Sequence, residues 1–459
     1  MKTVLIVAGS DPGAGAGLQQ DLKTATLLGA YGLTVVTGLT VQNSLGLQAV
    51  HPVAEDVVEA QLHTLLTDFP VNAVKIGMLG TGANVRVIAR RLRDLTGRPP
   101  VVLDPVLAAG RGGALLEEEG IALLKGELFP LTTILTPNVP EASRLTGRTI
   151  ETAAQLGEAA RELQALGPAW VLAKGGHLAG DPVDVLTDGK NTYHLGGTRL
   201  SAPHNHGSGC LLATALAAHL AQGLTLPEAV NRARELVAAA LRHGLPLGQG
   251  VGPVNPFAVF AREQARYEVL EELQAAAARL IREDISPLIP EVMSNLGYAV
   301  PYAEGPEHVA AFPGRILKVP QGTLVPSPPT FGASRHIAAL ILTALESHPH
   351  LRAAMNIRYV EGIEDLAPLL NLRLASFRRD QEPPEVKARE GGTLAWGVAK
   401  VMQALKPGEQ PPDLIGDRGE VGKEAMLRIL GENPMSVVEK ALALKNALQA
   451  TGEVMRIGS

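Results

Sequence analysis

The sequence predicts an α/β protein, a three-layer sandwich on a mainly parallel sheet followed by a second, smaller α/β domain. Three observations carry this. Continuous apolar runs such as Val4-Leu5-Ile6-Val7-Ala8 suit strands covered on both faces. Helical patterns lie between successive runs of this kind, as in layered α/β sheets. The chain has 459 residues, which is long for one core and implies two domains.

Composition narrows the function classes. A formal net charge of −5 gives no excess of cations to draw nucleic acid, so no nucleic-acid partner is expected. No apolar stretch is long enough for a membrane span, and the N-terminus reads as a strand that breaks into a glycine loop, not as a signal peptide. Cys210 is the one cysteine, which excludes an internal disulfide framework and fits a reducing cytoplasm.

In chain order, the first strand leads into Gly9-Ser10-Asp11-Pro12-Gly13-Ala14-Gly15-Ala16-Gly17 and then a helix carrying Asp21-Leu22-Lys23-Thr24. These glycines miss the dinucleotide spacing G-x-G-x-x-G by one position, and no Gly-Lys-Ser/Thr completes a P-loop. Further strands are expected at residues 34–40, 73–76, 101–105, 133–136 and 170–174. The C-terminal ends of such strands face the ligand crevice. That makes Gln42, Met78 (as an apolar wall), Asp104, Asn138, Glu141 and Lys174 the candidates.

The stretch His204-Asn205-His206-Gly207-Ser208-Gly209-Cys210 ends an extended segment and opens the apolar helix from Leu211 to Leu216. Gly207 and Gly209 let backbone N–H groups converge around Ser208, and the helix N-terminus adds positive charge, making a seat for an anion. Cys210 stands on the first turn, where the same charge is expected to lower the thiol pKa. A thiol beside an oxyanion cradle can take a proton from an attacking alcohol while amides hold a transferring phosphoryl group. The spacing His-x-His-x3-Cys also admits a metal, but no fourth ligand is evident nearby.

Residues 9–24, Thr40-Val41-Gln42-Asn43-Ser44, Lys75-Ile76-Gly77-Met78-Leu79, Leu103-Asp104-Pro105-Val106, residues 136–142, Lys174-Gly175-Gly176-His177 and His206 to Cys210 together resemble hydroxymethylpyrimidine and hydroxymethylpyrimidine-phosphate kinases of thiamine biosynthesis. The resemblance covers residues 1–258 and implies a ribokinase-like fold that phosphorylates an aminopyrimidine twice, with ATP and magnesium. It puts Gln42 on the pyrimidine edge, Ala16, Met78 and Val106 around the ring, and Asp11 among the substrate-binding residues. It gives phosphate, nucleotide and magnesium to Asp104, Asn138, Glu141, Lys174 and Ser208, with Glu141 on the metal. Cys210 takes the place where many relatives in the wider superfamily have an aspartate base. Two stretches depart from the family pattern. Gly13-Ala14 stands for its usual Ser-Gly, which argues against a positive φ at Ala14, and Asn205 stands for its usual Thr. A pyridoxal-type kinase shares the fold and is the competing reading, against which Gln42 speaks for the pyrimidine.

Beyond residue 258 the kinase motifs end and a helical pattern runs from Ala261 to Ile281, the start of a new domain or a dimer face. A strand is expected at residues 310–316. Phe331 to His336 should then open a helix capped by Ser334, with Arg335 beside it at a second anion seat. Residues 413–424 read as strand, glycine loop and helix, with Gly422 and Lys423 at a further phosphate site. With residues 389–397, these stretches resemble a ThiN-type thiamine-phosphate synthase over residues 265–459. That resemblance implies joining of hydroxymethylpyrimidine diphosphate to thiazole phosphate, with Arg315 and His336 as catalytic candidates, and a homodimer or higher homo-oligomer is expected. The alternative is a thiamine-phosphate sensor that regulates the kinase without catalysis.

Overall fold

The computed structural model describes residues 1–457 except 96, 109–111, 388–391, 407 and 421, and only the backbone of 384, 387, 392–394 and 451–457. The chain divides into two compact units, Met1–Val259 and Phe260–Ser459. Among the described residues no helix is long and apolar enough to cross a membrane.

The first unit runs β1 (Lys2–Ser10), α1 (Gly17–Leu27), β2 (Ala30–Asn43), β3 (Gly46–Pro52), α2 (Glu55–Asp68), β4 (Ala73–Ile76), α3 (Gly82–Arg93), β5 (Val101–Leu103), α4 (Glu118–Leu123), β6 (Ile134–Leu135), α5 (Val139–Thr146), α6 (Ala153–Ala165), β7 (Trp170–Ala173), β8 (Val183–Thr187), β9 (Thr192–Gly196), α7 (Ser208–Ala221) and α8 (Leu226–Arg242). One sheet of order β3-β2-β1-β4-β5-β6-β7-β8-β9 results. It is parallel from β2 to β7 and antiparallel at both edges. Alternate residues of β1 enter opposite cores. Leu5 and Val7 join Val58, Val85 and Leu156 on one face, while Val4, Ile6 and Ala8 join Leu18, Leu211 and Leu216 on the other. This two-sided burial is why the strand reads as an unbroken apolar run, and the three-layer sandwich follows from it.

The second unit contains α10 (Arg266–Arg282), β10 (Leu296–Ala299), β11 (Val309–Ala311), β12 (Leu317–Val319), β13 (Gly322–Leu324), β14 (Thr330–Phe331), α11 (Arg335–Leu345), β15 (Ala353–Arg358), α12 (Ile363–Leu369), β16 (Leu374–Ser376), α13 (Pro384–Lys387), α14 (Gly392–Gln403), β17 (Leu414–Asp417), β18 (Met426–Gly431) and α15 (Pro434–Ile457). Helix α9 (Phe257–Gln264) spans the division between the units. The sheet order is β14-β11-β10-β15-β18-β17-β16, antiparallel except for β16 with β17. Leu296, Met355, Leu427 and Ile429 pack with residues of α10 and α15, while Ala354, Ile415 and Leu430 pack with residues of α11 and α14. The fold class predicted for this half, a second α/β domain, holds.

Three local expectations here are corrected. The helical pattern of 261–281 is two helices, parted at Ala265, whose ψ of −9° departs from helical values. The strand expected at 310–316 ends at Ala311. Pro313-Gly314 then turns the chain, with the Arg315 amide donating to the Phe312 carbonyl (3.1 Å) and Arg315 at φ 59°. The loop after β17 enters β18, not a helix. Gly419 is at φ 73°, where an added Cβ would lie 2.5 Å from the Lys423 carbonyl, and Glu420 pairs with Lys423 across the hairpin. Gly422 and Lys423 therefore sit in an exposed turn with no helix N-terminus behind them, and the premise for a phosphate site there fails. Of residues 389–397, those up to 391 lie outside the described residues.

Candidate active site

The glycine loop after β1 is organised by Asp11. Its Oδ1 accepts the Gly13 amide (2.8 Å), its Oδ2 accepts the amides of Gly15 (3.1 Å) and Ala16 (2.8 Å), and His206 Nε2 lies 3.2 Å from Oδ2. Burial alone would raise this carboxyl, but hydrogen bonds from His206, Gln42, Ala16 and Gly13 hold it down at about 2. Ala14 adopts φ 55°, against expectation, because its amide closes a turn onto the Asp11 carbonyl (2.9 Å) while its own carbonyl takes the Lys23 ammonium (2.8 Å). Asp11 is thus the hub of the loop, and Gln42 is tied to it.

Gln42 lies within β2, not just after it, at a register shift beside Val41 where β2 pairs with β3. Gln42 helps to hold the Asp11 carboxyl down, and because a carboxylate can only accept, the amide nitrogen is the end that turns to it and the amide oxygen is left for another donor. Met78 is buried beyond β4, and an added Cβ on Gly9 would lie 2.7 Å from its sulfur, so the methionine fills the floor of the loop. Ala16 and Val106 are half-buried.

Helix α7 begins where predicted. Its N-cap is Gly207 at φ 82°, and an added Cβ there would fall 1.8 Å from the Gly15 carbonyl oxygen, so two glycine segments meet where only glycine fits. Gly207→Ala should therefore cost about 1–3 kcal/mol from backbone strain alone and push the α7 start off the glycine loop. The check is a lowered first thermal transition together with a kinase rate reduced at least tenfold.

The other half of the site stands on the C-terminal ends of β5, β6 and β7. Lys174 Nζ lies 2.9 Å from Asp104 Oδ1, which also accepts from Thr136 Oγ1 (3.1 Å). Asn138 caps α5 reciprocally with Glu141: Asn138 Oδ1 accepts the Glu141 amide (2.9 Å) and Glu141 Oε2 accepts the Asn138 amide (2.7 Å). Burial pushes the Glu141 carboxyl up to about 7, with the Asp104 charge adding to the rise and Lys174 opposing it. Burial works against the Lys174 ammonium, but Asp104 and Glu141 raise its pKa overall. Gly209 joins the two halves, since a Cβ there would lie 3.3 Å from Asp104 Oδ2 and 3.4 Å from Lys174 Nζ. Gly209, at the positive end of α7, thus faces the Lys174 ammonium and the Asp104 carboxylate across a narrow gap, with Glu141 coupled to both.

The thiol of Cys210 does not behave as its helix position predicts. Burial pushes it up to about 11, overcoming the opposing charge of Lys75 and the Gly17 amide that points at the sulfur. The metal-like spacing also fails to converge: His204 Nδ1 accepts the Gly252 amide (3.1 Å) and His206 faces Asp11. Among the described residues no group of three or more His, Cys, Asp or Glu could hold a metal ion. Sequence reasoning also missed His206 as partner of Asp11, and it missed Lys75, a fully buried cation in an otherwise apolar strand.

In the second unit Ser334 caps α11, its Oγ accepting the Ile337 amide (3.4 Å), with Arg335 and His336 exposed on the first turn. Arg315 is exposed, and its Nη1 donates to the Val292 carbonyl (2.6 Å), while the amides of Glu291 and Val292 donate to Glu424 from the β17–β18 loop. Arg315 is thereby linked to that loop. Because Ala311 pairs with Thr330 and Ala310 with Phe331, the chain leaves toward Arg315 from one end of the β11–β14 ladder and toward His336 from the other. One further cluster was not foreseen: Asp417 accepts from Arg379 Nε (2.6 Å) and pairs with Arg428 Nη1 (2.5 Å), all three buried.

Comparison with known proteins bears on both units. A family model for phosphomethylpyrimidine kinase matches residues 11–255, and one for thiamine-phosphate synthase ThiN matches residues 272–443. The thiamine biosynthesis bifunctional protein ThiED of Geobacter sulfurreducens is 47% identical over 265 residues, covering 58% of this chain and 54% of that protein, so the match spans about half the length of that relative. The hydroxymethylpyrimidine/phosphomethylpyrimidine kinase of Streptomyces coelicolor is 44% identical over 252 residues, covering 55% of this chain and 93% of that one. Among solved structures, an ADP complex of Bacillus subtilis pyridoxal kinase is 36% identical with a TM-score of 0.52, covering 57% of this chain and 99% of that one. The ribokinase-like sandwich is thus shared with nucleotide-bound vitamin kinases. The chain belongs to the phosphomethylpyrimidine kinase family, and its residues 272–443, beyond that kinase match, fit the ThiN model.

Proposed function

We propose that residues 1–258 phosphorylate hydroxymethylpyrimidine and then its monophosphate, and that residues 265–459 join the resulting diphosphate to thiazole phosphate. The observation that carries the kinase half is the meeting of the α7 N-terminus with Asp104, Lys174 and Glu141 opposite the Asp11 loop. The substrate hydroxyl attacks the γ-phosphorus of ATP as the bond to the β-phosphate breaks and ADP leaves, the Cys210 thiolate takes the hydroxyl proton, and the amides at residues 207–210 with Lys174 hold the transferring oxygens. A magnesium ion fits the oxygen donors here. Glu141 is held near 7 by burial and by Asp104, a repulsion that a nearby cation relieves, and magnesium keeps several waters and needs only one or two carboxylates. When bound it neutralises phosphate charge. A protein with one free thiol suits a reducing cytoplasm.

Gln42 supplies selectivity. With its nitrogen given to Asp11, its oxygen can accept from the exocyclic amine of an aminopyrimidine, a donor that pyridoxal lacks. Gln42→Leu should weaken pyrimidine binding by about 1–3 kcal/mol in a calorimetric titration and leave nucleotide binding unchanged. Turnover of pyridoxal, run beside the pyrimidine, should be much the slower.

The whole reading is tested by incubating the protein with hydroxymethylpyrimidine, thiazole phosphate and magnesium-ATP. Thiamine phosphate is the expected product, and accumulation of the pyrimidine diphosphate without it would remove the synthase assignment.

A further inference from the structure

We propose that Lys75, anchored by Asp21 and Thr214, is a positioning residue: the cation behind Cys210 that readies its thiol to give up a proton. The proposal rests on the assignment of Cys210 as proton acceptor, and its geometry is independent of that assignment.

Two helices supply the frame. On α7, Cys210 and Thr214 are one turn apart and share a face, and on α1 so do Gly17 and Asp21. The helices pack side by side, and the residues meet in two rungs. In one, the Gly17 amide points at the Cys210 sulfur. In the other, Thr214 Oγ1 donates to Asp21 Oδ1 (2.7 Å). Lys75 reaches this second rung from β4, its Nζ 2.5 Å from Asp21 Oδ2, with Lys75, Asp21 and Thr214 all fully buried. The ammonium runs toward the C-terminal end of the strand, because an added Cβ on Gly77 would lie 2.8 Å from Nζ. The residue two positions on has no side chain, which leaves the cation room beneath the site.

A buried ion pair is a poor way to stabilise a core, since apolar residues of similar size do as well or better. Lys75 and Asp21 therefore need another use, and Cys210, one turn of α7 from the Thr214 that holds Asp21, is together with Asp104 an ionisable group within reach of their charge. The charges around its sulfur are Lys75 from β4, Asp21 from α1, Asp104 after β5 and Lys174 after β7. The two lysines favour the thiolate and the two carboxylates oppose it. Lys75 stays protonated because Asp21 holds it, so its charge is permanent at working pH.

Cys210 is the single cysteine, so alkylation by iodoacetamide across pH reads its proton affinity in the full chain without reference to turnover. Lys75→Met should slow alkylation at pH 8 about tenfold or more, a midpoint moved up by one unit or beyond. Asp21→Asn removes the anion that keeps the buried Lys75 charged and should slow it too, while Lys75→Arg, which keeps the cation, should stay near the wild-type profile. In the kinase assay Lys75→Met should lower kcat with little change in KM for the pyrimidine. A purely structural pair would leave the alkylation profile of every folded variant unshifted, or would move Lys75→Arg as far as Lys75→Met, and either result overturns the proposal. Full activity of Cys210→Ala would remove the proton-acceptor assignment instead, leaving the alkylation result standing.

Discussion

Replacing Cys210 with alanine is expected to lower phosphorylation by about two orders of magnitude or more, the range usual for loss of a general base, with pyrimidine binding nearly intact. The pH dependence makes the result specific. Burial sets the thiol at about 11, so near neutrality only a small fraction is thiolate. If that thiolate accepts the proton, the wild-type rate climbs about tenfold per pH unit over the neutral and mildly alkaline range. Cys210→Asp places an ionised carboxylate at the same point and should restore part of the rate lost in the alanine variant while flattening the profile. Initial rates of the three proteins across pH decide the matter. Undiminished turnover by the alanine variant would sink the assignment.

How much of this site was legible in the chain depends on what each residue answers to. Val4 to Ala8 and residues 170–174 read as strands because both faces are buried, and the apolar run records that directly. Asp104, Asn138, Glu141 and Lys174 were found because a polar residue just past a buried strand stands out. The misses are long-range. A helix start stabilises a thiolate, but Cys210 also feels the charges of Asp21 and Asp104, almost two hundred and about one hundred residues away, and burial of the sulfur wins. Local steric reasoning argued against positive φ at Ala14, yet the turn closed by Asp11 outweighs the modest strain. At Gly419 the pattern of strand and glycine loop is the same whether a helix or a hairpin follows, and only the pairing of Glu420 with Lys423 and of β17 with β18 decides. Lys75 carried a signal that was passed over: a lysine inside Ala73-Val74-Lys75-Ile76 has to find a buried anion.

The second unit offers the other large effect. A fragment of residues 260–459 should fold alone, since it keeps its own sheet and both helical layers. A start at 260 is preferable to one at 262, because Arg262 is buried and paired with Glu304 (3.1 Å) and would otherwise become the chain end. Given premade hydroxymethylpyrimidine diphosphate and thiazole phosphate, the fragment should form thiamine phosphate without ATP. Arg315→Ala should cut that rate by about 10²–10³, the scale of losing one charge-stabilising donor. Stability should hardly change, because the side chain is exposed and makes one bond to the Val292 carbonyl. His336→Ala should also lose rate. The two residues follow opposite ends of the short β11–β14 ladder, Arg315 after Ala311 and His336 after Phe331. A fragment that folds and binds thiamine phosphate but forms none would be a sensor, and the exposed Arg315 and His336 would be its contacts instead of its catalysts.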